Sequence, residues 1–420
     1  MPFRLLHPGR SLRPDPVALG RLLGPELAER PDHGGLVQGE ELRLAGVGAA
    51  LPEATDPTAC IVVLPGAESY KPKGKDDGGD PKRALRIAFA KTGRLTQFIE
   101  PEDSKDSPEI RARVAVRDLM RQLGFVPEPA RNSRGIDTSI PAIGLKVYNS
   151  GNGKARASFP YCVRQDMRSG AVTVYCPLLP DGSLPYWRAL IEFARLSGSE
   201  GFPDSCKRAN GMALKRMLHG IVRATGDRPE LLLVNSYGRI RQRDWWPGIS
   251  DSGLESGPLS YGPTGYEEPL GLAGSKLRIL RIRSGLNGEV PDWFTDEVAA
   301  GGADDGTVPN RRDKQGLFKM DGYFLALAPR PGDAQYKWSA RGSKYDSPTA
   351  AFCEKTINEY CLLSPGGEAE ALASVKYAEA LRGCMVQLYK NDMRVNLPAP
   401  LHLAEQVEEY IWDWEFTGRR

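Results

Sequence analysis

Three arginines alternate in the segment YGRIRQRDWWP, at Arg239, Arg241 and Arg243. At a spacing of two they would share one face of an extended chain. A row of guanidinium groups suits the phosphates of a nucleic-acid backbone. The plainer reading is an exposed polar edge strand. A second stretch, KLRILRIR (276–283), interleaves Lys276, Arg278, Arg281 and Arg283 with Leu277, Ile279, Leu280 and Ile282, and reads as a strand with one wet basic side. Trp245 and Trp246 could stack on bases or pack in a core. The net charge of the chain is only +3, but it is segregated. Residues 207–243 hold nine Lys/Arg and two acids, a local +7, whereas residues 353–416 hold eleven Asp/Glu and five Lys/Arg, a local −6. That asymmetry fits one basic face turned to a polyanion. Arg outnumbers Lys, 38 to 18, which suits phosphate recognition and equally follows from a GC-rich genome.

Other chemistries find little support. The four histidines (7, 33, 219, 402) lack ligand-like spacing, and His402 beside Pro400 and Leu401 reads as a capping or packing residue. The seven cysteines are scattered and contain no CxxC pair, so neither a disulfide framework nor a structural zinc site is expected. A reducing cytoplasm is the expected compartment. No apolar run approaches the ~20 residues of a membrane span, and the N-terminus lacks the pattern of a signal peptide. At 40% hydrophobic and 26% charged residues, the 420-residue chain is long enough for two or three folded domains.

The elements that must position these residues fall into two patterns. CIVVLPG (60–66) reads as a strand and is followed by a loop holding Tyr70, Lys71, Lys73 and Lys75. Asp80-Pro81 then opens a helix that stops at Gly93. RLTQFIE (94–100) is a second strand. A second helix runs from Pro108 to Leu123, with Ile110, Val114, Leu119, Met120 and Leu123 as its apolar stripe. This alternation predicts a small α/β domain with a parallel sheet. After a polar linker at 127–141, three strands (142–149, 157–165, 171–177) read as two successive hairpins. Helices at 185–197 and 204–224 follow, then strands at 230–235, 276–283, 322–328 and near 356–363, and helices at 368–384 and 400–414. Meander, helix, strand, helix is the order of the ribonuclease H fold. Residues 1–57 read as a linker with one or two short helices.

The segment NLPAPLHLAEQVEEY (396–410) resembles the Pro-Ala-Pro and helix signature that closes PIWI domains of the Argonaute superfamily. TQFI (96–99), followed by a helix ending in DLMRQLGFV, resembles the MID-domain core around the pocket for a guide strand's 5′-phosphate. With DPKRALRIAFAKTGRLTQFIEP, these segments look most like the prokaryotic PIWI-RE family, named for a characteristic arginine and glutamate. The resemblance implies an α/β chain with a linker (1–57), a MID-like domain with a Rossmann-like parallel sheet (58–135) and an RNase H-like PIWI domain with a mixed sheet (136–420). The amino-terminal and PAZ-like portions of long Argonautes are not recognisable.

Active relatives carry Gly-Ile-Asp-Val in the first strand of the RNase H fold, and its Asp holds a divalent metal. Here the strand reads Gly144-Leu145-Lys146-Val147, a cation in place of the first ligand. The second Asp is replaced by Asn235 or Ser236, and Glu405 alone matches an acid of the set. One carboxylate of three does not make a hydrolytic metal site. The resemblance therefore implies binding without cutting. For the guide 5′-phosphate it implies Tyr70, Lys71, Gln97 and either Arg117 or Arg121, with Lys82 and Arg83 at the helix start and a Mg²⁺ at the phosphate as the one cofactor entertained. Arg239, Arg241, Arg243, Lys276 and Arg278 would contact the strands. The family's arginine would be one of the 239–243 set, and its glutamate Glu359, Glu408 or Glu409. Expected partners are guide and target nucleic acid, DNA or RNA, together with a helicase and a nuclease in defence against plasmids or phage. Two rivals stay open. One is an active metal-dependent endonuclease using displaced acids such as Asp166, Asp244 or Asp251. The other is a protein-interaction module that uses its acidic C-terminal third.

Overall fold

The structure is a computed structural model. It describes residues 33–56, 58–64, 81–100, 108–126, 139–149, 158–197, 207–255, 259–272, 275–284, 290, 316–320, 322–327, 357–384 and 395–411. The chain divides into two compact units, 1–115 and 116–420.

In the first unit, β1 (Thr58–Val63) runs parallel to β2 (Arg94–Ile99), in register from Thr58↔Arg94 to Val63↔Ile99. Helix α2 (Lys82–Lys91) makes the crossover, as parallel pairing requires. It buries Leu85, Ala88 and Phe89 with Val62 and Leu64, and its Arg86 guanidinium lies 5.7 Å from the Phe98 ring centre. Gly93 ends the crossover at φ +82, where a Cβ would stand 2.9 Å from the Ala54 carbonyl. Residues 33–50 are not short helices in a linker. They form one 18-residue helix, α1 (His33–Ala50), whose Val47 joins the same core. Five glycines in that helix, each costing about 1 kcal/mol against alanine, mask it in the sequence.

Helix α3 (Pro108–Gln122) contains the division between the units. Its buried side is Ala115, Leu119 and Gln122, a spacing of four and three, while Val114, expected in the apolar stripe, is exposed.

The second unit is built on a nine-stranded mixed sheet. Strands β3 (Ala142–Asn149), β4 (Ser158–Asp166) and β5 (Ala171–Tyr175) form an antiparallel meander, and β6 (Ser183–Pro185) continues it. Helices α4 (Tyr186–Leu196) and α5 (Lys207–Thr225) precede β7 (Glu230–Asn235), which lies parallel to β3. A five-residue helix, α6 (Asp251–Glu255), and a small hairpin, β8 (Ser260–Tyr261) with β9 (Glu268–Pro269), come next. Strand β10 (Leu277–Ser284) pairs parallel to β7 and antiparallel to β13 (Ile357–Leu362). Strands β11 (Gly316–Lys319) and β12 (Phe324–Leu327) complete the order β11-β12-β13-β10-β7-β3-β4-β5-β6. This is the mixed RNase H-like sheet the strand order predicts.

All six residues of β7 are buried, as befits a strand with neighbours on both edges and cover on both faces. On one face, Leu214 and Leu218 of α5 pack with Ile143, Leu145, Leu232, Val234, Trp245 and Trp246. The tryptophans are core residues, 2% and 0% exposed, and the Trp246 indole donates to the Ser260 carbonyl at 2.6 Å. On the other face lie α7 (Glu368–Leu381), tied by Arg278 of β10 to its Glu370, and α8 (Ala399–Val407). No described helix is long and apolar enough to cross a membrane.

Candidate functional site

The close approach of α8 to β3 is what builds the site. A Cβ on Gly144 would sit 2.5 Å from the Pro400 carbonyl carbon and 2.6 Å from the Leu401 nitrogen, so only glycine lets the helix start lie on the strand. The tyrosines Tyr161 on β4 and Tyr186 on α4 donate to the Ala404 and Leu403 carbonyls at 2.8 and 2.9 Å, and Tyr410 donates to Gln122 at 2.8 Å. Two residues beyond Gly144, on the same face, Lys146 projects at the helix. Its Nζ lies 3.1 Å from Glu408 Oε1 and 3.7 Å from Glu405 Oε1. The Tyr161 hydroxyl, across the register from Lys146, stands 3.2 Å from the same Glu408 oxygen.

Desolvation pushes the Glu405 carboxyl up, with Glu408 adding to it, against the downward pull of Lys146. Burial, helped by the positive charges of Arg121 and Lys146, drives His402 down to about 3, so its imidazole is neutral at physiological pH. Asn235 ends β7 one step past the Leu145↔Val234 pair, on the strand beside Lys146. Its side-chain carbonyl accepts the Tyr237 amide at 3.1 Å, and the Ser236 hydroxyl donates to Ile282 at 3.3 Å. The arrangement is thus an ammonium held by two carboxylates, beside an amide occupied with a turn. It does not fit the divalent cation that the fold family places here, because Lys146 supplies the positive charge the carboxylates would otherwise give to a metal. Among the described residues, no three of His, Cys, Asp or Glu stand together as a metal site.

The arginines differ most from expectation. Arg239, Arg241 and Arg243 are not an extended row. Gly238, at φ +78, turns the chain into a 3₁₀ turn over Gly238–Arg241, and burial of Ile240, Trp245 and Trp246 keeps it coiled. Arg243 is exposed, while Arg239 and Arg241 are half-buried. Strand β10 has no wet basic side, because α7 covers Arg278 on one face and acids engage Arg281 and Arg283 on the other. Arg278 pairs with Glu370, and only Lys276, just before the strand, is exposed. Arg281 is 6% exposed and bridges Glu359 (3.1 Å) and Asp251 (2.6 Å), while Arg283 reaches the same two acids at 3.4 and 3.5 Å. Partial burial would raise the Asp251 carboxyl, but Arg281, with Arg283 and Arg241, holds it below the usual range.

Of the phosphate candidates, Tyr70 and Lys71 lie outside the described residues. Lys82 and Arg83 open α2, with Lys82 Nζ 3.3 Å from Glu100, and Gln97 is half-buried on β2 opposite Ile61. Arg117 is half-buried. Arg121 is buried, not on a wet helix face, and is 3.3 Å from Asp118. Arg117 and Arg121 fall in the second unit and the other three in the first.

A family model described as the RNaseH domain of pPIWI_RE matches residues 142–413, and one described as the MID domain of pPIWI_RE matches residues 29–131. The chain belongs to the pPIWI_RE family. Among solved structures it is similar to Clostridium butyricum Argonaute bound to a guide DNA and a 19-mer target DNA (12% identity, TM-score 0.43, covering 84% of this chain and 38% of that one). It is also similar to Marinitoga piezophila Argonaute in complex with a 5′ OH guide RNA and target DNA (13%, 0.36, 87% and 42%) and to Drosophila Piwi (11%, 0.38, 90% and 41%). This pPIWI_RE chain spans about two fifths of the length of those three chains. No curated protein matches it.

Reading the pPIWI_RE sequence alone finds Lys146 and Glu405 but not their meeting with Tyr161, nor Glu408 as the nearer carboxylate. The available signal was the helical spacing of three between Glu405 and Glu408, which puts both acids on one side of the final helix. Arg281 with Glu359 was hidden more deeply, since 78 residues separate them. The thiols Cys162 and Cys176 are pushed up to about 12, burial being the main cause, which keeps them from thiolate chemistry.

Proposed function

We infer that this chain binds a nucleic-acid guide through its 5′-phosphate, pairs it with a complementary strand, and leaves that strand uncut. The observation that carries the reading is Lys146, ion-paired to Glu408 and Glu405 at the position where active relatives hold a metal-binding Asp. Base pairing would read sequence, while Arg and Lys read charge and backbone, as in other guided systems. Lys82, Arg83 and Gln97 would serve the 5′-phosphate at the start of α2, where the positive end of the helix dipole favours an anion. Mg²⁺ fits poorly there, since Gln97 is the one neutral oxygen donor among those three, and no step is routed through it. Cutting and unwinding would fall to a nuclease and a helicase, in cytoplasmic defence against invading DNA.

The rival, a nuclease with displaced acids, gains nothing from Asp251, engaged by two arginines, or from Asp166, whose Oδ1 accepts the Arg168 and Ser169 amides of its turn. Filter binding of 5′-phosphorylated and 5′-hydroxyl oligonucleotides tests the proposal. Preference for the phosphorylated strand, with affinity falling steeply in salt, is expected, and Mg²⁺ or Mn²⁺ should elicit no guided cleavage. Equal affinity for both strands would remove the phosphate pocket. Guided cutting abolished by substituting Asp166, Asp244 or Asp251 would overturn the rest.

A further inference from the structure

On the sheet face opposite Lys146, a cleft of about 1090 Å³ opens between α5 and strands β4 and β5. It is as large as the upper end of ordinary ligand pockets. Helix α5 turns Ala213, Arg216, Met217, Gly220, Ile221 and Ala224 into it, a single stripe at helical spacing whose small residues hold the wall back. Gly220 is informative. A Cβ there would meet nothing within 4 Å, so neither packing nor backbone geometry calls for glycine. Yet mid-helix glycine costs about 1 kcal/mol against alanine. What it does provide is open space and bare backbone at the middle of the cleft wall.

The polar lining is cationic and partly uncommitted. Arg164 is held by Glu230 at 2.7 Å, and Glu230 in turn accepts the Thr225 hydroxyl at 2.9 Å. Arg168 donates to Ser139 at 3.1 Å. Arg216 and Arg228 are exposed and have no acid partner among the described residues. Four guanidinium groups thus face two carboxylates, Glu230 and Asp166. The Tyr175 ring, 37% exposed, lies on the same sheet face as Arg164, since its register partner is Cys162, two residues from Arg164. The cleft is distinct from the Lys146 site: Glu230 and Asn235 are five residues apart on β7, about 16 Å along the strand, and Lys146 points to the other face.

We propose that this cleft is a second ligand site, taking a nucleotide: its phosphate on Arg216 and Arg228, its base against Tyr175 and the apolar wall of Met217 and Ile221. Guanidinium groups grip phosphate in a bidentate way, and an exposed ring beside arginine is the arrangement on which bases stack. The nucleotide is either free or the terminal residue of a strand. An acidic peptide would use the arginines but would leave the exposed ring without a role.

Calorimetric titration of the full chain with AMP, GMP, CMP and UMP, ribose 5-phosphate, a 5′-phosphorylated 12-mer and a decaglutamate peptide tests the assignment. Saturable binding of at least one nucleoside monophosphate is expected, weakened tenfold or more in Arg216→Glu with Arg228→Glu. It should be lost in Gly220→Leu, which fills the cleft without crowding the core, and kept in Lys82→Ala with Gln97→Ala, which separates this site from the proposed guide pocket. Binding of the 12-mer alone, with the same dependence on Gly220→Leu, assigns the ligand to a strand end. Silence toward all the nucleotides and the 12-mer overturns the proposal. So does binding indifferent to the cleft variants, equal binding of ribose 5-phosphate, or equal binding of decaglutamate.

Discussion

Replacing Lys146 with Met keeps the aliphatic stem and removes the charge, leaving Glu405 and Glu408 to face each other. At an effective dielectric of about 20, Coulomb's law gives about 5 kcal/mol of attraction at each of the two distances, 3.1 and 3.7 Å. Those values must be discounted. Lys146 keeps 22% of its side chain, and each glutamate 35%, in water. Fully buried pairs cost about 3–5 kcal/mol to break from one side and exposed pairs about 0–1, so this one should cost about 1–3. The midpoint of thermal unfolding should then fall by about 4–8 °C for a 2 kcal/mol loss, at roughly 2–4 °C per kcal/mol in a domain of this size.

The loss also has a pH signature. Without Lys146, the downward pull on Glu405 is gone, and burial, with the charge of Glu408 beside it, lifts its folded-state pKa further above the unfolded value of about 4.3. A carboxyl raised on folding destabilises as pH rises from the unfolded through the folded value. The deficit should therefore be small near pH 4.5 and complete by pH 7.5, and adding Glu408→Gln should recover much of it. Differential scanning fluorimetry of wild type, K146M and K146M with E408Q across that range measures it. Unchanged midpoints at pH 7.5, or a deficit independent of pH, would refute the ion-pair reasoning.

Gly144→Ala should cost about 1–3 kcal/mol or prevent folding, because the new methyl meets backbone atoms of Pro400 and Leu401; urea unfolding reads this. Arg281→Met should cost about 1–3 kcal/mol, because buried Glu359 loses its nearer cation and keeps only Arg283 at 3.4 Å; a double-mutant cycle with Glu359→Gln in urea checks the coupling. His402, neutral down to about 3, leaves the unfolded chain binding the extra proton between about pH 6.5 and 3, so it favours the folded state less as pH falls through that window. His402→Gln should therefore flatten the acid limb of stability by up to about 1.4 kcal/mol per pH unit, and an imidazole NMR resonance that titrates near 6.5 in the wild type would contradict this.

The central strands were legible because buried strands write themselves as apolar runs bounded by turn residues. AIGLKVYN and ELLLVN occupy the positions their composition predicts, 142–149 and 230–235. Residues 239–243 misled for a local reason: alternating arginines suggest an extended chain, but Gly238 and the burial of Trp245 and Trp246 decide the backbone there. KLRILRIR misled for a non-local one. Whether its arginines meet water or acids depends on β13, some 80 residues away, which sequence periodicity cannot see. The cleft beside α5 was hidden likewise, since its wall reads as an ordinary basic amphipathic helix until β4 and β5 are placed next to it.

The seat of α8 on β3 bears on how the chain is made. Tyr161 and Tyr186 find their acceptors in residues 403, 404 and 408, more than 200 positions downstream. Because that helix is synthesised after the meander, the meander would leave the ribosome with two phenols lacking their native acceptors and with the cover of Gly144 missing. Closure of the sheet is then a late event governed by long-range contacts. Nascent chains stalled before residue 398 should be protease-sensitive across β3 and β4, and chains released past residue 411 should not.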